Sequence, residues 1–180
     1  MLPNEAIKTM SMRKNTVPLL FLFLFWFLLS TPGNSQETVL SHYDSLKTMP
    51  PFKFYNLQGK AFTPDSLKKN AHRIVIIYFK TSCEFCLSEF KLIKHSMQEF
   101  TNDQFILISR EETADLKKYD SLRQFEHYPQ IRTVQDKDQL YRSWFRASYT
   151  PSIHIYDEHH ALIRFQDGML NKEDLLKYLK

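Results

Sequence analysis

The segment Ile74–Cys86 reads IVIIYFKTSCEFC, and it gives the strongest structural signal in the sequence. Its first six residues are an unbroken run of β-branched and aromatic side chains, which is typical of a central strand covered on both faces. Apolar residues then recur at spacings of 4, 3, 4 and 3, on one face of a helix, at Cys86, Phe90, Ile93, Met97 and Phe100. The segment therefore predicts a buried strand over Ile74–Phe79, a turn, and an amphipathic helix that opens at two cysteines.

Strands and helices alternate along the rest of the chain. The patterns predict further strands at Phe52–Leu57, Lys60–Thr63, Phe105–Ser109, Ile131–Gln135, Ser152–Tyr156 and Leu162–Phe165. They predict helices at Glu111–Phe125, with a weak apolar stripe through Leu116, Tyr119 and Leu122, at Asp138–Phe145, and after a capping Asn171. This alternation indicates an α/β fold with parallel strands in the middle. The sheet is expected to be mixed, because the last two strands are close enough to form a hairpin.

The composition of the 180 residues is that of a globular protein, since 43% are hydrophobic and 24% are charged. The net charge is +4, and basic residues cluster only in pairs such as Lys68-Lys69, so nucleic-acid binding is disfavoured. The three glycines, Gly33, Gly59 and Gly168, are too far apart to form a phosphate-binding loop. The seven histidines form no HExxH motif, which excludes that class of zinc protease.

The N-terminal region has the pattern of a targeting segment. Leu19–Leu29 is an unbroken apolar run of eleven residues, and Arg13 and Lys14 place positive charge in front of it. A membrane-spanning helix needs about 20 apolar residues, whereas the apolar region of a secretory signal has about 7–15. The run therefore fits a secretory signal, and the alternative is an uncleaved membrane anchor.

These features divide the chain into three parts. Residues 1–35 are expected to be a signal peptide or an N-terminal membrane anchor, the anchor being residues 17–29. Residues 36–50 are expected to be a lead segment, and the folded domain is expected at 51–180. Either form of the leader places that domain outside the cytoplasm.

Cys83 and Cys86 are the only cysteines of the sequence, and they stand at the start of the predicted helix. The first turn of a helix offers unpaired backbone N–H groups and the positive end of the helix dipole, and both favour a thiolate over a thiol. Such sites bring the pKa of a cysteine from about 8.5 to about 3.5–7.5. We expect Cys83, at the exposed end, to attack a partner disulfide, and Cys86, on the apolar face, to resolve the mixed disulfide.

The cysteine pair has three other interpretations. A structural disulfide that closes so short a loop would stabilise the fold by only about 2 kcal/mol, against ~4.7 kcal/mol for a loop of about a hundred residues. A zinc site would need two more ligands, and no spacing indicates that His95 or His154 supplies them, so both are expected to be packing or surface residues. Two idle thiols are disfavoured in an oxidising compartment.

Four segments together resemble the extracytoplasmic thioredoxin-like thiol-disulfide oxidoreductases of the TlpA/ResA type: FKFYNLQGKAF, IVIIYF, TSCEFCLSEF and YTPSIHIYD. The resemblance runs from about Pro51 to the end of the chain. It implies a thioredoxin-like fold, with a central mixed β-sheet flanked by helices and an N-terminal β-hairpin extension. In the family a later proline is cis and faces the cysteine pair, and Pro151 matches it. The backbone of Thr150 would then bind an extended substrate segment; the alternative is an ordinary trans proline before the strand.

A glutamate that is common in this family is matched by Glu89, three residues after Cys86. The resemblance implies that its carboxyl, if shielded, shuttles the proton of Cys86, and the alternative is a solvated glutamate on the helix surface. The chain departs from the family at Ser82, where relatives often carry tryptophan, and at Phe85, where many carry proline. Ile77 occupies the position of the buried acid of thioredoxins proper, so an internal base must come from elsewhere.

The resemblance implies a periplasmic protein-disulfide reductase that exchanges disulfides with protein substrates, apocytochrome c among them. A membrane or periplasmic electron donor would keep the pair reduced, and an uncleaved leader would anchor the protein to the inner membrane. No cofactor, metal or nucleic acid is implied. The alternatives are an oxidant that introduces disulfides, a binding module without turnover, and a thiol peroxidase. Lys80 argues against the peroxidase, because peroxiredoxins have threonine three residues before the active cysteine.

Overall fold

The computed structural model describes residues 47–179. The strands are β1 (Phe54–Asn56), β2 (Ala61–Phe62), β3 (Arg73–Tyr78), β4 (Gln104–Ser109), β5 (Ile131–Gln135), β6 (Ser152–Asp157) and β7 (Leu162–Asp167). The helices are α1 (Glu84–His95), α2 (Thr113–Arg123), α3 (Tyr141–Phe145) and α4 (Lys172–Leu179). Short 3-10 turns are formed by Pro64–Ser66, Met97–Glu99 and Phe125–His127. Each strand and helix expected within this range is present; the strand Ile131–Gln135 has the predicted ends, and the other elements differ from the prediction at one end or both.

The predicted leader, residues 1–35, lies outside the described residues and stays a prediction. Among residues 47–179, no helix has the length and apolar character needed to cross a membrane. The end of the lead segment runs beside the start of β7. There the N–H of Leu162 donates to the carbonyl of Lys47, and the N–H of Met49 donates to the carbonyl of His160, both at 2.9 Å.

The sheet has the strand order β2-β1-β5-β4-β3-β6-β7. Strands β3, β4 and β5 are parallel, and the outer strands pair antiparallel with their neighbours. The expected parallel centre and the two terminal hairpins are therefore confirmed. Gly59 in the first hairpin has φ +76°, a value that a residue with a Cβ rarely adopts. Because β3 and β4 are parallel neighbours, the segments that follow them emerge at the same edge of the sheet.

Both faces of the sheet are covered, which is why β3 reads as a continuous apolar run. Val75 and Ile77 face one side and Ile74 and Ile76 the other, and all four are at most 2% exposed. Side chains of α1, α2 and α4 complete the core on the first face. The N-terminal hairpin and α3 complete it on the second face, largely with stacked or tilted aromatic rings. The cysteine pair therefore begins a helix that is packed against a sheet buried on both sides.

The helix after the cysteines is shorter than the sequence pattern predicts. It ends at His95, and a 3-10 turn over Met97–Glu99 leads to β4. The N–H of Ser96 is shared between two carbonyls of the last turn, at 3.1 and 3.2 Å, so the winding changes there. Met97 and Phe100 are nevertheless buried, because the tighter turn still returns them to the core.

The apolar stripe of α2 also differs from the prediction. Leu116 and Tyr119 are buried as expected, but Leu122 is 67% exposed, so its expected place in the core is wrong. At about 3.6 residues per turn, the two three-residue steps from Leu116 through Tyr119 to Leu122 rotate the side chain progressively away from the core face. The helix ends at Arg123, where Gln124 adopts a left-handed conformation with φ 56°. The chain then turns, and the side chain of Phe125 enters the core instead.

His154 is a fully buried histidine on β6, and its hydrogen bonds give it a structural role. Its Nε2 lies 3.0 Å from the carbonyl oxygen of Phe145, which can only accept, so Nε2 carries the hydrogen. In the neutral imidazole, Nδ1 then accepts from the hydroxyl of Tyr141, also at 3.0 Å. The imidazole thus joins β6 to both ends of α3.

We expect Tyr141→Phe to lower the free energy of unfolding by about 1–3 kcal/mol, because it removes the donor to a buried ring nitrogen and keeps the ring packing. Urea unfolding measures the change. Tyr156→Phe is the matched control, since Tyr156 is buried on β6, the strand that carries His154. Its hydroxyl has no hydrogen-bond partner within residues 47–179. The control should not lose stability, and equal losses in the two variants would contradict the assignment.

Candidate functional site

Cys83 is the N-cap residue of α1, and a turn sets its position. Its backbone is extended, with φ −87° and ψ 111°, and its N–H donates to the carbonyl of Lys80 at 3.1 Å. Its Sγ lies 3.1 Å from the backbone nitrogen of Cys86 in the first helical turn. The sulfur therefore occupies the place where an N-cap side chain accepts a hydrogen bond and where the helix dipole stabilises negative charge.

The two cysteines are joined as a disulfide, with their Cα atoms 5.3 Å apart. They differ in access to solvent, because Cys83 is partly exposed whereas Cys86 is 0% exposed and belongs to the core. The expected outer and shielded positions are therefore confirmed. Cys83 is thus the cysteine of the pair that reaches the surface, whereas Cys86 is enclosed.

The loop before β6 brings the predicted proline to the cysteine pair. The Thr150–Pro151 peptide bond is cis, as the resemblance implies, and the alternative of a trans proline is wrong. The carbonyl oxygen of Thr150 lies 3.8 Å from Cys83 Sγ. The carbonyl of Pro151 accepts from the N–H of Gly168 at 2.8 Å, which ties this loop to the end of β7.

Glu89 lies one helical turn after Cys86 and is 0% exposed, so the alternative of a solvated glutamate is wrong. Its Oε2 accepts from the N–H of Leu170 at 3.0 Å, and its Oε1 has no hydrogen-bond partner in the part of the chain that the structure describes. Burial raises the pKa of Glu89 to about 7, and the N–H of Leu170 acts in the opposite direction. A carboxyl with this pKa can exchange a proton near neutral pH.

Two contacts of the site were not predicted from the sequence, those made by Leu170 and Glu111. Glu111 accepts from the backbone N–H of Thr81 at 2.9 Å and from the Thr81 hydroxyl at 3.0 Å. The sequence pattern assigned Glu111 only to a polar helix, although the parallel order of β3 and β4 predicts that the residues after them are neighbours. No comparable signal marks Leu170, because its position depends on the turn between β7 and α4.

The histidines considered as zinc ligands lie away from the cysteines. His95 is exposed at the end of α1, and His154 packs among the aromatic rings on the sheet face opposite Cys86. Within residues 47–179, no group of three or more histidine, cysteine, aspartate and glutamate side chains could hold a metal ion. Ile77 is fully buried in the core and supplies no acidic group. The buried acid close to the cysteine pair is Glu89, on α1.

A mixed sheet with a parallel centre, a cysteine pair at the start of the helix after β3, and a cis-proline opposite that pair define the thioredoxin fold. The chain has this fold. No family model and no curated protein matches the sequence. The comparison with solved structures, in contrast, finds thioredoxin-like proteins.

Three of these structures illustrate the likeness. A secreted Mycobacterium tuberculosis disulfide oxidoreductase homologous to E. coli DsbE is 16% identical, with a TM-score of 0.59 over 76% of this chain and 96% of that chain. A thio-disulfide isomerase from Thermus thermophilus is 24% identical, with a TM-score of 0.56 over 73% of this chain and 91% of that chain. A thioredoxin-like protein from Porphyromonas gingivalis is 21% identical, with a TM-score of 0.59 over 73% of this chain and 88% of that chain. At these identities the likeness establishes the fold.

Proposed function

We propose that the chain is an extracytoplasmic thiol-disulfide oxidoreductase that reduces protein disulfides through Cys83 and Cys86. The observation that carries the proposal is the asymmetry of the pair, since one cysteine is partly exposed at a helix N-terminus and the other is enclosed in the core. A structural disulfide has no need of this asymmetry. Disulfide exchange does need it, because one sulfur must react with the substrate while the other stays shielded until it resolves the mixed disulfide.

The reaction follows from this arrangement. The Cys83 thiolate attacks one sulfur of a substrate disulfide, forms a mixed disulfide and releases the other substrate sulfur as a thiolate. Glu89, whose pKa burial raises to about 7, accepts the proton of the Cys86 thiol. The Cys86 thiolate then attacks Cys83 Sγ, closes the internal disulfide and releases the second substrate sulfur. Two electrons pass to the substrate, and an external dithiol donor restores the pair.

Thr150 and Pro151 form the substrate-binding edge in this proposal. The carbonyl oxygen of Thr150 is 3.8 Å from Cys83 Sγ, so a substrate segment that binds along this backbone brings its own sulfur next to Cys83. Extended segments bind exposed backbone in this way, through main-chain hydrogen bonds. The substrate class is therefore a protein chain with an accessible disulfide.

The location and the partners rest on the sequence. The apolar run Leu19–Leu29 supports export, and the TlpA/ResA resemblance supports a periplasmic site of action with apocytochrome c among the substrates. The same resemblance supports a membrane or periplasmic electron donor. The description of the M. tuberculosis structure as a secreted oxidoreductase agrees with this assignment.

Reduction of insulin by dithiothreitol tests whether the protein turns over. The wild-type protein should accelerate the reaction, and Cys83→Ser should leave it at the rate of dithiothreitol alone, because the accessible sulfur is gone. Turbidity of the released insulin chain measures the rate. If the wild-type protein gives no acceleration, the proposal is wrong and the binding module is favoured.

A redox titration of the Cys83–Cys86 pair determines the direction. A midpoint of about −270 mV is that of a reductase, and one of about −120 mV is that of a strong oxidant. We expect a value close to the first. The fraction of alkylated protein at each buffer potential, measured by mass, gives the midpoint.

A further inference from the structure

Glu111 accepts hydrogen bonds from the turn that leads into Cys83 and α1. The turn Lys80–Cys83 is closed by a hydrogen bond from the N–H of Cys83 to the carbonyl of Lys80, at 3.1 Å. Inside it, Thr81 donates its backbone N–H to Glu111 Oε2 at 2.9 Å and its hydroxyl to Oε1 at 3.0 Å. Both carboxyl oxygens therefore bind one residue of the turn, from 30 positions away in the sequence.

Glu111 is itself fixed to the sheet. The hydroxyl of Ser109 donates to Glu111 Oε2 at 3.1 Å, and the N–H of Glu111 donates to the hydroxyl oxygen of Ser109 at 3.3 Å. Ser109 is 0% exposed and is the last residue of β4, where it pairs with Gln135 of β5. Three donors thus converge on the carboxylate, an acceptor-only group when ionised. The turn is tied through it to a buried strand.

The hydrogen bonds between Thr81 and Glu111 matter more for the position of the Cys83 sulfur once the disulfide is reduced. In the oxidised protein, the bond between the sulfurs holds Cys83 against the first turn of α1. In the reduced protein, only non-covalent contacts keep the Cys83 sulfur beside the backbone nitrogen of Cys86. The hydrogen bonds of Thr81 with Glu111 involve no sulfur atom, so they do not depend directly on the disulfide bond.

We propose that Glu111 is a positioning residue for the exchange reaction, which through Thr81 keeps the reduced Cys83 sulfur at the N-terminus of α1. The inference rests on the proposed function, because it concerns the attacking sulfur of that reaction. Glu111 acts through its hydrogen bonds, since the negative charge of a carboxylate opposes the formation of a thiolate nearby.

The test measures the alkylation rate of Cys83 against pH in the reduced Cys86→Ser protein, which has a single thiol. Glu111→Ala should slow alkylation at pH 7 by about fivefold to tenfold and raise the pH midpoint, as expected for loss of an N-cap interaction. Glu111→Gln should stay within about twofold of the parent, because the amide oxygen still accepts from Thr81 and Ser109 and the amide NH₂ donates to the Thr81 hydroxyl.

Glu112→Ala is the matched control, because it removes the same charge from the neighbouring, exposed position and should leave the profile unchanged. If Glu111→Ala leaves the pH dependence of Cys83 alkylation unchanged, the inference is overturned, even if the variant is less stable to urea. Equal slowing of alkylation in Glu111→Gln and Glu111→Ala would also overturn it. If Glu111→Ala does not fold, Thr81→Ala takes its place. This variant loses only the hydroxyl hydrogen bond to Glu111, so the pH midpoint of Cys83 alkylation should rise by less than the shift expected for Glu111→Ala, and an unshifted midpoint would likewise overturn the inference.

The design separates this inference from the proposed function. A parent protein whose Cys83 has the midpoint of a free cysteine, about 8.5, would contradict the proposed function and with it the inference. A parent with a lowered midpoint that is the same in Glu111→Ala would contradict only the positioning role.

Discussion

Cys86→Ser is expected to stop turnover and to leave substrate covalently bound to Cys83. Within the chain, Cys86 is the only other cysteine, so it alone can displace the substrate sulfur from Cys83 Sγ. A serine hydroxyl cannot take its place, and the mixed disulfide persists. The experiment offers oxidised insulin to the reduced variant. Non-reducing electrophoresis and intact mass then measure the fraction of protein that carries an insulin adduct.

Cys83→Ser is the matched control, because it also leaves one cysteine, but the buried one. Cys86 is 0% exposed, so this variant should form no adduct under the same conditions. Both variants should have lost the acceleration of insulin reduction. Adducts of equal yield in the two variants would contradict the assignment of Cys83 as the attacking sulfur.

Glu89→Gln is expected to make the protein more stable above neutral pH. Burial raises the pKa of Glu89 from 4.5 to about 7, so the folded state binds this proton more tightly than the unfolded state does. The resulting stabilisation is fully present below about pH 4.5 and is lost as the pH rises through about 7. Since one pKa unit corresponds to about 1.4 kcal/mol, the full loss is on the order of 3 kcal/mol.

Urea unfolding of the wild-type protein and of Glu89→Gln at pH 5 and pH 8 measures this effect. The wild-type protein should lose stability between the two pH values relative to the variant. Asp103, whose pKa burial raises to about 6, contributes in the same direction, but it is present in both proteins and cancels in the comparison. Parallel pH dependences would show that Glu89 does not titrate in the folded protein as its burial requires.

The same variant tests the chemical role of Glu89. An amide cannot accept a proton, so closure of the internal disulfide by Cys86 should slow by about 10²-fold at pH 7, at the lower end of typical general-base effects. Rapid-mixing measurement of mixed-disulfide decay gives this rate. Glu84→Gln, a change at an exposed position of the same helix, should not slow it. Equal rates in the wild-type protein and in Glu89→Gln would remove Glu89 from the mechanism.

The order of strands and helices could be predicted because each element has its own local period. The apolar run at β3 and the spacing of Phe90 and Ile93 on α1 are visible within a few residues, and both elements are buried as expected. The ends of the helices were less predictable. Phe125 is buried because the backbone reverses at Gln124, just after α2 ends, and no apolar spacing along the sequence predicts such a reversal.

Local sequence patterns predict the parallel centre of the sheet, the cysteine pair at the start of a helix, and Cys83 as the outer sulfur. The enclosure of Glu89 against Leu170 and the hydrogen bond from Thr81 to Glu111 are visible only in the folded structure. These contacts join residues that are 81 and 30 positions apart. A local pattern depends on neighbours along the chain, whereas the burial and pKa of a carboxyl depend on which distant segments pack around it.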